Sequence, residues 1–149
     1  MDKVIIFIFG HLNITKEDFE KEYVPIINLY CSKEEYNFII CDAKGVDSES
    51  QKYLASVLSK EDQEKRITIY HMFDNPREYH CFGKLKGNFK TDNERDNQAT
   101  IDSHIDIAFS KRKRSGTEKS LKRREKLLNN LIKENKYDVI NIINKYKLH

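Results

Sequence analysis

The sequence predicts an α/β chain: a Rossmann-like three-layer sandwich with a mostly parallel five-stranded sheet, spanning residues 1–149 as a single domain. Three observations carry this. Short, continuous, β-branched apolar runs recur along the chain, as strands buried on both faces require. Between them lie longer stretches whose apolar residues repeat at helical spacing. Glycine follows each of the first two runs, at Gly10 and Gly45.

The elements follow in order. Lys3–Phe9 (KVIIFIF) is the first strand, ended by Gly10. Thr15-Lys-Glu-Asp18 offers a capped helix start, and Phe19, Tyr23, Ile26, Ile27 and Tyr30 continue it at helical spacing. Pro25 inside this stretch predicts a kink or a late start, because it has no N–H to donate. Asn37–Cys41 is the second strand, and Ser48–Leu58 a helix with Tyr53, Leu54, Val57 and Leu58 on one side. Arg66–His71 (RITIYH) is the third strand. A long unpatterned loop at 73–91 precedes a helix near Asp92–Ser103. Ile105–Phe109 is the fourth strand, and a basic helix at about 117–134 follows with Leu121, Leu127, Leu128, Leu131 and Ile132 as a narrow stripe. Tyr137–Ile142 (YDVINI) is the expected fifth strand.

Hydrophobic content of 38% beside 34% charged residues allows a core under a charged surface and excludes global disorder. The net charge of +3 is too small to diagnose a nucleic-acid binder. No apolar run reaches the roughly 20 residues of a membrane span. The opening MDKVIIFIFG lacks a small-residue cleavage site and reads as a strand rather than a signal peptide. Cys31, Cys41 and Cys81 have neither zinc-ligand nor disulfide spacing. Reduced thiols, a cytoplasmic setting, no metal site and no cofactor are therefore expected.

The predicted topology puts all five glycines (Gly10, Gly45, Gly83, Gly87, Gly116) at the carboxyl edge of the sheet, where open α/β sheets bind ligands. Either these turns simply need positive φ, or backbone must approach a ligand closely there. Ser115-Gly116-Thr117 opens a helix, whose free N–H groups and dipole favour an anion. Ser115-x-x-Glu118 is equally a capping box. Gly45 permits a tight bend, and Asp47 or Ser48 can cap the helix that follows. Asp42, at the end of the second strand, can accept from ribose hydroxyls or a base, with Ala43, Lys44, Gly45 and Asp47 turning beneath the ligand. His11 reads equally as a ligand contact or a polar turn residue.

These residues carry a family likeness. Gly10-His11-Leu12-Asn13-Ile14, Cys41-Asp42-Ala43-Lys44-Gly45-Val46-Asp47 with Gln51-Lys52-Tyr53-Leu54, Ile67-Thr68-Ile69-Tyr70, Arg77, Glu94-Arg95-Asp96, Ile105-Asp106-Ile107-Ala108 and Ser115-Gly116-Thr117 occur in that order over roughly residues 4–142. In this the chain resembles the SLOG superfamily of Rossmann-like nucleotide-binding proteins. That superfamily includes DNA-processing protein A and the cytokinin-activating phosphoribohydrolases, and the likeness is to its small stand-alone members. Cys41 stands where many members have glycine, Ser120 where asparagine is frequent, and Lys113-Arg114 replaces the doubled glycine of the phosphoribohydrolase motif. The resemblance implies a nucleotide-like small-molecule ligand held at Gly10, His11, Asp42–Gly45, Asp47, Arg77, Arg95 and Ser115–Thr117, and self-association as a homodimer.

Three functional classes follow. The first is binding of a nucleotide or nucleotide-derived ligand, as a sensor or sequestering protein. The second is a nucleoside-monophosphate N-glycosidase with Glu94 or Asp96 as the carboxylate near the anomeric carbon; Thr91-Asp-Asn-Glu94 is also a capping box. The third is nucleic-acid binding through Lys111–Lys126, which holds nine Lys or Arg against two Glu. Such a run is also what a solvated helix face looks like. Phe73, Tyr79, Phe82 and Phe89 among basic residues mark the long loop as an aromatic lid or as a flap packed on itself.

Overall fold

β1 (Val4–Ile8) is an interior strand of the sheet, and its Ile6, Phe7 and Ile8 have no exposed surface. The structure, a computed structural model, describes residues 3–149. α1 (Lys16–Glu22) follows, capped by the Thr15 hydroxyl on Asp18 N–H. Pro25 does not kink a continuous helix. The chain breaks at Tyr23, and α2 (Val24–Cys31) starts afresh with the proline in its first turn, where no N–H is missed. β2 (Tyr36–Cys41), α3 (Val46–Val57), α4 (Lys60–Arg66) and β3 (Ile67–Met72) come next. β4 (Lys84–Phe89), α5 (Asp92–Asp102), β5 (Ile105–Ile107), α6 (Gly116–Lys133) and α7 (Tyr137–Tyr146) complete the order of elements.

The five strands pair in the order β4-β3-β2-β1-β5, all parallel. Period-two alternation sends Ile6, Ile8, Phe38 and Ile40 to one face, against Tyr23, Ile27, Tyr30 and Leu54. Phe7, Phe9, Ile39 and Cys41 go to the other, against Ala99 of α5 and Leu121 of α6. Helices on both faces of a parallel sheet make the fold Rossmann-like. No described helix is long and apolar enough to cross a membrane.

Three expectations need correction. Tyr137–Ile142 is not a strand: it opens α7, which buries Ile143 and rests Val139 and Tyr146 on the core. A short apolar run such as VINII fits either period. The fifth strand is instead β4, inside the segment expected to be loop. As an edge strand with Phe89 its single buried residue, it carries no hydrophobic signature. Its presence relocates two glycines, since Gly83 lies beside Ile67 at the amino edge and Gly87 lies within β4 against the His71 ring. α4 went unpredicted because KEDQEKR is polar all round; Gln63 and Arg66 are its buried residues.

β1 is flanked by β2, reached first, and by β5, reached last. The loops leaving β1 and β5 therefore part, and their divergence opens a crevice at the carboxyl edge.

Candidate functional site

That crevice is a cleft of about 430 Å³. Its walls are Gly10–Leu12 after β1, Ala43 and Asp47 around the β2–α3 turn, Arg77, the first turn of α5, and Arg112–Thr117 before α6.

The glycines divide by cause. A Cβ on Gly10 would overlap the Tyr23 hydroxyl and Val46, and Gly45 (φ +79°) would drive one into the carbonyls of His11 and Leu12. Both are required by packing between the loops, and Gly45 does not line the cleft. Gly116 is different. Its φ is not left-handed, and nothing lies within 4 Å of where its Cβ would stand. The fold has no steric need of glycine there; a side chain would fill open space at the cleft.

Around Gly116 the cleft is cationic. Ser115 caps α6 by accepting from Glu118 N–H (3.1 Å). The N–H groups of Gly116 and Thr117, in the first turn, have no acceptor among the described residues. Arg112, Lys113 and Arg114 surround them. His11 closes the corner: its Nε2 accepts from Lys111 N–H at 2.8 Å, so a neutral ring carries its proton on Nδ1, 3.5 Å from the Thr117 hydroxyl. Burial and the charges of Arg112 and Lys111 lower the His11 pKa and hold the ring neutral. Beyond His11 lies a second pocket of about 220 Å³ between Tyr23, Phe109 and Lys111.

The opposite wall is acidic and braced. Asp42 is fully buried and takes no part in the lining. It accepts from Arg77 N–H, from both arms of the Arg77 fork, from Met72 N–H and from Arg95 (2.8 Å). Burial opposes its ionisation, but these bonds and charges outweigh it and hold the carboxyl below its ordinary pKa. The expectation that Asp42 accepts from a ligand is therefore overturned: its oxygens are occupied, and it positions Arg77 and Arg95 instead. Arg95 also grips Asp96 Oδ1 through Nε (3.1 Å) and Nη2 (2.9 Å).

Asp47 does not cap α3. Gly45 is the N-cap with no side-chain bond, and Asp47 Oδ2 turns back to accept from Ala43 N–H at 3.1 Å. Asp47 is 6% exposed yet lines the cleft. Burial pushes its carboxyl up to about 7, against the Arg95 charge and the Ala43 bond and with help from Asp96 and Asp42. Cys41 lies beside it, its Sγ 3.7 Å from Asp96 Oδ1, with a thiol that burial pushes well up and so keeps protonated.

Glu94 points away from the cleft. It is exposed, and it accepts from Lys90 N–H at 3.2 Å while Thr91 caps α5. Lys44 is exposed and outside the lining. The expected aromatic lid does not cover the cleft. Phe89 stacks on Tyr70, Phe82 lies under Lys60, and Tyr79 donates to Gly83 O. The segment before β4 is fixed by Gln51, which donates to Cys41 O and Glu78 O and accepts from His80 N–H. Of the predicted site residues, Gly10, His11, Ala43, Asp47, Arg77, Arg95, Asp96, Ser115, Gly116 and Thr117 meet in one cleft. Leu12, Cys41 and Ser120 join them unpredicted, and Arg112–Arg114, the start of the basic run that the sequence sets beside Ser115–Thr117, line the same cleft.

No family model, curated protein or solved structure matches the chain.

Proposed function

We propose that the chain binds a phosphorylated, nucleotide-derived ligand, its phosphate at Ser115–Thr117 and the remainder over Gly10–His11 and Ala43. The observation that carries this is Gly116. Gly116 and Thr117, whose N–H groups have no acceptor among the described residues, line a cleft with Arg112, Lys113 and Arg114, and the Cβ position of Gly116 is open. Helix N-termini of this kind favour phosphate through free donors and the helix dipole. The resemblance to the SLOG superfamily points the same way. Thermal unfolding against a panel of linear and cyclic nucleotides and ADP-ribose-type compounds tests it. A ligand at 100 times its Kd stabilises by about 2.7 kcal/mol, and Gly116→Asp abolishes the shift. No shift with any compound refutes it.

A second reading, N-glycoside hydrolysis, is favoured by Asp96, a carboxylate braced in the cleft wall; Glu94 drops out of it. Release of free base from a nucleoside monophosphate, lost in Asp96→Asn, would establish it. Nucleic-acid binding through the exposed Lys119, Lys122 and Lys126 predicts a steep salt dependence. Lys111 and Arg124 contribute less, being paired with Glu22 and Asp106.

A further inference from the structure

The loop between β5 and α6, residues 108–115, brings Arg112, Lys113 and Arg114 into the cleft wall. Two features work against its staying there. Lys111 to Arg114 are four consecutive cations, of which Lys111 alone is ion-paired among the described residues. Arg114 holds a left-handed φ of 60°, which a residue with a side chain adopts only at a cost. Nor is the loop packed down on α1. The pocket of about 220 Å³ separates them, with Phe109, Lys111 and Arg112 on its loop side and Asp18 and Glu22 on its α1 side.

The position of the loop therefore depends on polar ties. The Tyr23 hydroxyl accepts from Phe109 N–H (3.1 Å), and His11 Nε2 accepts from Lys111 N–H (2.8 Å). The third tie reaches α1: Lys111 Nζ lies 2.9 Å from Glu22 Oε1 and 3.6 Å from Asp18 Oδ2. Glu22 depends on it as much as the loop does. Its Oε2 is sealed from solvent with no hydrogen-bond partner, so the Lys111 ammonium is what offsets the burial of this carboxylate. None of Asp18, Glu22 and Lys111 lines the cleft. Apart from long-range charge, they can influence an anion at Ser115–Thr117 only by placing the loop.

We propose that Lys111 is a positioning residue: its ion pair with Glu22 and Asp18 latches the cationic loop to α1 and so sets the affinity of the cleft for an anion. This rests on the phosphate site proposed above. Charge and latch predict opposite signs for the loss of Glu22. Removing a carboxylate beside a cationic cleft raises the positive potential there and tightens anion binding. Releasing the latch lets the loop leave, and affinity falls with the fraction of molecules that hold it in place.

Calorimetric titration with inorganic phosphate reads the sign. Glu22→Ala is expected to bind phosphate about two- to fivefold more weakly than wild type, the span that a part-exposed ion pair supports. Lys111→Arg, which keeps the charge and the N–H, is expected to stay near wild type. Glu22→Gln keeps the shape of the side chain, weakens the same pair and reports in the same sense should Glu22→Ala fail to fold. The His11 ring gives a second reading that needs no ligand. Burial, Arg112 and Lys111 lower its pKa, and Glu22 raises it. In an NMR pH titration, loss of the Glu22 charge alone takes His11 further down, whereas a released loop carries the cations away and brings His11 up towards its ordinary value of 6.5. The rise is expected. Phosphate binding that is unchanged or tighter in Glu22→Ala overturns the latch, as does a His11 pKa that falls. Absence of phosphate binding in wild-type protein overturns the phosphate site and the role of the latch in it, while the His11 titration still shows whether Lys111 holds the loop.

Discussion

Replacing Asp47 by asparagine should make the protein more stable at neutral pH, and the gain should vanish in acid. The carboxyl sits at about 7 in the fold, against an ordinary value of 3.8. At about 1.36 kcal/mol for each pKa unit, the buried charge costs the folded state at most about 4 kcal/mol above neutrality. The sign follows from proton binding. The folded-state pKa is the higher, so the fold holds this proton more tightly than the unfolded chain does. Wild-type stability from this group is greatest below about pH 4, falls as pH rises towards about 7, and is flat beyond. The substitution is a clean probe of charge, because the amide oxygen it introduces can still accept from Ala43 N–H and differs chiefly in being unable to ionise. Urea unfolding of both proteins at about pH 4, 6 and 8 reads the difference, other titrating groups being common to both. Convergence near pH 4 with a widening advantage for Asp47→Asn towards pH 8 is expected. A gap that does not change with pH would show that Asp47 ionises freely in the fold, and would refute the account of this wall.

Gly45→Ala should lower stability by more than about 2 kcal/mol in denaturant unfolding, since a left-handed φ is combined with contact against two carbonyls. Gly116→Ala should stay within about 0.5 kcal/mol of wild type in the same assay, because it meets nothing. Asp42→Ala leaves Arg95 buried beside a lost partner, so denaturant unfolding should record a loss of about 3–5 kcal/mol. Glu94→Gln should leave nucleotide-induced thermal shifts unchanged, since Glu94 bonds Lys90 N–H outside the cleft.

The sequence made the central sheet legible because β1, β2 and β3 are buried on both faces and spell this out in continuous apolar runs. β4 was hidden because an edge strand with exposed Lys84, Leu85 and Lys86 has nothing to alternate. α7 was misread because VINII serves either period. At the site, types and places were legible, but partnerships were not. Asp42 and Asp47 stand around one turn, and the sequence favours Asp42 as the ligand acceptor and Asp47 as a helix cap. Arg77 and Arg95, 35 and 53 residues beyond Asp42, decide between them by saturating it and leaving an oxygen of Asp47 free. Glu94 and Asp96 likewise differ in direction on α5, which spacing alone does not reveal without knowing which helix face meets the sheet.

The most direct test of the phosphate site observes its two amides. In ¹⁵N–¹H correlation spectra titrated with inorganic phosphate and then with nucleoside monophosphates, the Gly116 and Thr117 resonances should move along saturable curves, with His11 following. Amides at Gly116 and Thr117 that stay fixed while phosphate is raised, whether others move or none do, would contradict the assignment of an anion to this cleft.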